Sequence, residues 1–211
     1  MRSGGLRRLG RLLAVGVGLP LSLAAACYAK WGLVDGKFAT ITPGAVYQSA
    51  ALAPARLVQA CRARGIRTVI DLRDSRPDAV AACAGAAAAA GLVHLHVPTR
   101  SHPFRDDAEA FLAALESAER PVLVHCQHGE GRSVMLCAVH RIVNEGWSNE
   151  RAFDGTARLP DSLRFLNDWF PGLRRFKRAH PKGRFVLSYD PRRAPGRASK
   201  EVDSPLSALP R

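Results

Sequence analysis

Cysteine is too sparse here for a disulfide framework. The 211-residue chain has five, an odd number, and none forms a CxxC pair or sits beside histidines at metal-ligand spacing. Neither a disulfide-stapled fold nor a bound metal is expected. Acidic residues are also scarce, 18 against 31 lysines and arginines, giving a formal net charge of +13. Such a balance often marks a nucleic-acid binder. The basic residues, however, lie mostly in flanking segments: Arg2, Arg7, Arg8 and Arg11 at the start, and Arg174, Arg175, Lys177, Arg178, Lys182 and Arg184 near the end. No nucleic-acid module accompanies them, so solvated or lipid-facing charge is the expectation, with no nucleic-acid partner. No internal repeat is found.

Charge is missing altogether from residues 12–29, a stretch of 18 residues just long enough to cross a bilayer. It is longer than the usual apolar core of a cleaved leader. The four arginines before it place residues 1–11 in the cytoplasm and the rest of the chain across the membrane. Ala24-Ala25-Ala26 is an alternative cleavage site and Cys27 an alternative lipoprotein-type site. All three readings export the domain beyond residue 29.

From there the chain alternates strand and helix signals. Residues 36–54 read as an extended lead-in with a turn at Pro43-Gly44 and a short strand over Ala45–Gln48. A helix from Pro54 to about Arg64 carries Leu57, Val58 and Cys61 at helical spacing and stops at Gly65. Arg67–Arg73 is a β-branched strand, Asp78–Ala90 an alanine-rich helix, and Leu92–Val97 a strand with His94 and His96 on one face, read as half-buried sheet residues rather than ligands. After a loop over Pro98–Arg105, Asp106 or Asp107 caps a helix to about Glu119 that turns Phe111, Leu112 and Leu115 inward. The helix from Ser133 to about Glu145 is apolar nearly all round and is expected to be the central buried one, stopped at Gly146. Ser148 or Asn149 caps another, and Asp161 to about His180 supplies one or two more, interrupted at Pro171-Gly172. The fold class is therefore α/β, a small, mostly parallel sheet flanked by helices over residues 36–187. Residues 190–211, rich in Pro, Arg and Ser, read as a disordered tail.

The chemistry concentrates in Pro121-Val-Leu-Val-His-Cys-Gln-His-Gly-Glu-Gly-Arg-Ser133. A buried strand ends at His125-Cys126, Gly129 and Gly131 let the backbone curl, and Arg132-Ser133 open the long helix. Strand, tight loop and helix N-terminus make an anion cradle in which successive amides point inward. Gln127, His128, Gly129, Glu130, Gly131 and Ser133 are its expected phosphate-binding positions. The field that binds phosphate also favours thiolate over thiol at Cys126. Arg132 offers a planar fork for two phosphoryl oxygens, and the Ser133 hydroxyl is placed to hydrogen-bond the sulfur.

This stretch resembles the His-Cys-x5-Arg-Ser signature of the cysteine-based protein tyrosine and dual-specificity phosphatases, with Gly129 at the family's glycine position. Residues 37–150 are similar to the atypical dual-specificity phosphatases, above all the bacterial periplasmic tyrosine phosphatases: Pro43-Gly44-Ala-Val-Tyr47-Gln-Ser49, Gly65–Arg73, Val97-Pro98-Thr99 with Asp106-Asp107-Ala-Glu109, and Arg141-Ile-Val with Gly146-Trp147 carry the likeness. The resemblance implies the phosphatase fold, hydrolysis of phosphate monoesters on a phosphotyrosine protein through a cysteinyl-phosphate on Cys126, no cofactor or metal, and a single-pass inner-membrane location with the domain in the periplasm. Three positions depart from the pattern. Val134 replaces a glycine, Glu130 puts a carboxylate in the phosphate loop, and the acid loop Pro98-Thr-Arg-Ser-His-Pro-Phe-Arg105 holds no aspartate. His102 is expected as the general acid, with Asp106 or water as alternatives. A phosphoanhydride substrate of the inositol pyrophosphate type, and a phospho-binding module that has lost turnover, are the competing functions.

Overall fold

The computed structural model describes residues 14–102, 105–156 and 171–193. Helix α1 (Leu19–Ala29) is continued at both ends by wider π turns, Ala14–Gly18 and Lys30–Val34. Together they give a helix over Gly16–Val34, 19 residues with mean hydropathy 1.3, long and apolar enough to cross a membrane. It runs past the sequence-expected end at residue 29, and Lys30 in that extension is ion-paired with Asp35 at 2.8 Å. The expected N-terminal segment before residue 14 lies outside the described residues.

Five strands come next: β1 (Ala39–Thr42), β2 (Val46–Ala50), β3 (Thr68–Asp71), β4 (Val93–His96) and β5 (Val122–Cys126). They form one sheet in the order β1-β2-β5-β3-β4, with only the β1–β2 pair antiparallel. The mostly parallel sheet expected from sequence is thus present. The lead-in contributes β1 as well, because Gly44, at φ +69°, closes a tight hairpin. Strands β3 and β5 are buried along their whole length, which is why they read as unbroken apolar runs.

Helices α2 (Pro54–Arg62) and α3 (Pro77–Ala89) cover one face, where Leu57, Cys61 and Cys83 meet Val69 and Leu123. Val58 is only half-buried. Helices α4 (Arg105–Ser117) and α5 (Arg132–Asn144) cover the other, where Phe111, Leu115, Met135, Leu136 and Val139 meet Ile70, Val122 and Val124. Each such side chain removed from water contributes roughly 1.5–3 kcal/mol. Asp106 and Asp107 do not cap α4. They lie inside its first turn, and both carboxylates are ion-paired with Arg100.

Helix α6 (Asn149–Gly155) is capped by the Ser148 hydroxyl, which accepts from the Arg151 amide. Helix α7 (Pro171–Ala179) begins the next described stretch and ends close to the expected His180; the expected helix before Pro171 lies outside the described residues. Helix α8 (Pro181–Leu187), not expected from the sequence, packs back beside α5 and α6. Asp190 and a short turn at Pro191–Arg193 remain attached through the Arg105 guanidinium, which donates to the Asp190 carbonyl at 2.7 Å. The rest of the expected tail, and residues 157–170, lie outside the described residues.

Candidate active site

Parallel strands aim their carboxyl ends at one edge of the sheet, and the site forms where central β5 runs into α5. Cys126 closes the strand, and Ser133 Oγ lies 3.3 Å from its sulfur. Burial alone would raise the Cys126 pKa. The Ser133 hydroxyl and the amides of Ser133, Gly129 and His128 outweigh it and hold the thiol below its ordinary value. The loop keeps its curl by close packing. Gly129 has φ +66°, and a Cβ there would meet the Ala50 backbone nitrogen at 2.7 Å. Buried Gln48, on β2, donates to the Gly129 carbonyl at 2.9 Å.

Arg132 is fixed through one nitrogen. Its Nη1 donates to the Leu72 carbonyl (3.2 Å), the Thr99 carbonyl (3.0 Å) and Asp74 Oδ1 (2.5 Å). Those contacts orient the fork, and the Nε and Nη2 edge is the part suited to a bidentate oxyanion. Burial acts to raise the Asp74 pKa, and its bond to Arg132 brings the net shift below the usual carboxylate value. Glu130 does not oppose an anion alone, because Lys37 pairs with its carboxylate. Gln127 is half-buried and His128 exposed. A Cβ on Gly131 would lie 2.8 Å from Lys182 Nζ, so an ammonium from α8 stands over the loop.

A cavity of about 890 Å³ opens over Cys126 and Arg132. Asp74, Arg76 and Ser101 line one part of it, and Phe176, Lys177, His180 and Lys182 another. His102 is exposed and does not line the cavity; its ring is stacked on cavity-lining His180, the centroids 6.2 Å apart. The structure therefore brings Cys126, the loop, Arg132 and Ser133 together and leaves His102 one ring away. Asp74, Arg76, Lys37 and Lys182 are lining or flanking residues that sequence reasoning missed. They come from segments far from the signature stretch in sequence. Asp74 did carry a signal, standing just beyond the C-terminal end of a parallel strand.

Behind the loop, on the α2–α3 face, Asp71, His94 and His125 hold their ligand atoms within 4.8 Å of one another. Arg73 already grips the Asp71 carboxylate through Nε (3.0 Å) and Nη2 (2.6 Å), so the positive charge that this carboxylate calls for is in place. His96 bonds to the Arg73 carbonyl at 2.8 Å. His94 is half-buried in the sheet as expected, whereas His96, at the strand's end, is exposed.

A family described as DSP-PTPase phosphatase fused to NAD+ kinase matches residues 55–167. The chain belongs to this phosphatase family. A curated relative, the dual specificity protein phosphatase TpbA of Pseudomonas aeruginosa (strain UCBPP-PA14), is 44% identical over 57 residues, 25% of this chain and 26% of TpbA. The matched stretch is thus about a quarter of that relative's length. Two crystal structures share the fold. TpbA of P. aeruginosa aligns at 24% identity over 74% of this chain and 92% of its own, TM-score 0.50. The catalytic core of the PP-IP phosphatase SIW14 from S. cerevisiae, solved with citrate, aligns at 19% identity over 72% and 85%, TM-score 0.54.

Proposed function

We propose that this protein hydrolyses phosphate monoesters as an exported tyrosine or dual-specificity phosphatase. The observation that carries the reading is the single loop in which a buried, acidified thiol, inward amides and an oriented guanidinium converge. The Cys126 thiolate attacks phosphorus and the ester oxygen departs. Arg132 and the amides hold the equatorial oxygens as charge builds on them. Ser133 then steadies the sulfur as water releases phosphate and restores the thiolate. No metal or cofactor takes part in this scheme.

The departing oxygen needs a proton, and the two carboxylates lining the cavity are poorly placed to give one. Asp74 is held ionised by Arg132, and Glu130 is paired with Lys37. His102, stacked on cavity-lining His180, is the proposed acid. Protein phosphotyrosine is the proposed substrate class, in keeping with the dual-specificity relative. The apolar helix before the domain, and the arginines before that helix, support an inner-membrane anchor with the domain in the periplasm.

The reading is tested with p-nitrophenyl phosphate and a Cys126→Ser variant. The wild type should turn over and the variant should not, while vanadate still binds the variant, because the amide cradle and Arg132 remain. Turnover by Cys126→Ser above a trace would refute the covalent route. Vanadate binding without turnover by the reduced wild type would identify a phospho-binding module instead.

A further inference from the structure

Glu130 sets a problem that the phosphate loop does not solve from its own residues. The side chain is 48% exposed and lines the cavity together with Cys126 and Arg132. A bound phosphate monoester brings about −1.5 to −2 of charge at neutral pH. A bare carboxylate at this point would therefore repel what the amides and Arg132 attract. Among the described residues, the cation that meets it is Lys37, 93 positions earlier in the chain.

The backbone delivers that lysine. Lys37 stands at φ +55°, in the left-handed region that a non-glycine residue enters only at a cost. Three hydrogen bonds fasten the turn around it. The Lys37 amide donates to the Trp31 carbonyl at 2.8 Å, and buried Trp31 donates its indole N–H to the Phe38 carbonyl at 3.1 Å. The Ala50 amide, at the end of β2, donates to the Gly36 carbonyl at 2.8 Å. The same end of β2 holds the phosphate loop: Gly129 packs on Ala50, and the Ala51 amide donates to the Gln127 carbonyl at 3.3 Å. Turn and loop thus share one footing, and the Lys37 side chain, 18% exposed, crosses between them. A partly exposed ion pair adds little to folding stability. Its worth lies in where it puts charge.

Resting on the phosphatase reading, we propose that Lys37 is a positioning residue of the phosphate loop. It does not line the cavity and acts through Glu130. The ammonium cancels the carboxylate's charge and holds it to the side of the turn, so the loop amides and the Arg132 fork meet the oxyanion unopposed. The short segment between the apolar helix and β1 thereby belongs to the active site, although it precedes residues 55–167, the stretch that the phosphatase family matches.

The full chain, in detergent micelles, is measured for p-nitrophenyl phosphate turnover and separately for vanadate binding. Lys37→Ala should raise KM and the vanadate Kd about tenfold, equivalent to about 1.4 kcal/mol, while kcat changes less than about threefold. Lys37→Arg should restore both. Glu130→Gln should move the other way and tighten vanadate severalfold, because the charge of Lys37 is then uncancelled. In the double variant, Lys37→Ala with Glu130→Gln, KM and Kd should return to within about twofold of the wild type, since no carboxylate remains to be neutralised. A lysine that only fastens the turn gives different results: the double variant stays as weak as Lys37→Ala, and Glu130→Gln weakens vanadate. Either of these, or a Lys37→Ala variant that binds like the wild type, would overturn the proposal. Should Lys37→Ala fail to fold, the sign of the Glu130→Gln effect still decides. Absence of turnover in the reduced wild type would remove the phosphatase reading alone, and the vanadate series would still settle the role of Lys37.

Discussion

The residue before the nucleophile has its own electrostatic signature. His125 is 1% exposed and directly opposite Asp71 in the β3–β5 register, and its two ring nitrogens find no hydrogen-bond partner. Burial pushes its pKa down to about 4, Arg73 and His94 press the same way, and Asp71 opposes them. A folded-state pKa below the ordinary 6.5 means that the unfolded chain binds the extra proton between those two values. Stability is therefore full above about pH 6.5 and falls as pH drops toward 4. Buried His140, whose pKa is also lowered by burial, adds to the same loss. The expected fall from His125 is roughly 2–3 kcal/mol, since one pKa unit is about 1.4 kcal/mol. Urea unfolding at pH 7 and pH 4.5 measures it, and His125→Gln should flatten the slope. An unchanged slope would show that the imidazole is charged in the fold. Asp71, depressed through His94, Arg73 and His125 against the opposing effect of burial, takes over in more acid solution with the same sign.

At the scale of elements, the features legible in the sequence were local. The phosphate loop could be read because strand, glycines, arginine and helix start are contiguous, and each dictates its neighbour's geometry. Helix α8 and the wall it makes could not, because Pro181–Leu187 is short and finds its place through partners far along the chain. The chief partner is Asn149, which the sequence offered only as a cap. Ser148 takes that role, and the Asn149 amide instead donates toward the carbonyls of Val186 (3.0 Å), Leu187 (3.1 Å) and Tyr189 (2.8 Å), closing the C-terminal end of α8. Removing such an amide leaves helix-end carbonyls unmet at about 1–3 kcal/mol. Asn149→Ala should lower the melting temperature and, by loosening the helix that carries Lys182, raise KM for a phosphate ester more than it lowers kcat. Asn149→Asp should do worse, since a carboxylate faces the carbonyls with no proton to give. A KM unaffected by either change would mean that α8 does not shape the cavity.

At the scale of the whole molecule, charge and apolarity are segregated along the chain. Arg2, Arg7, Arg8 and Arg11 precede the apolar helix, while the residues just after it carry Lys30 and Lys37 against Asp35. Both lysines are already paired, Lys30 with Asp35 and Lys37 with Glu130. The imbalance that orients a single span thus rests on the four arginines, whose transfer across a membrane is costly. The proposed orientation keeps them in the cytoplasm and sends the catalytic domain out. Reporter fusions made after residue 40 should yield active exported alkaline phosphatase and a silent cytoplasmic reporter. Replacing the four arginines with glutamine should erode that asymmetry, because little positive charge would remain to fix the direction of insertion. The reverse pattern in the unmutated fusion would put the domain in the cytoplasm. Helix end and phosphate loop would stay joined in either case, since Trp31 donates to the Phe38 carbonyl and Lys37 pairs with Glu130.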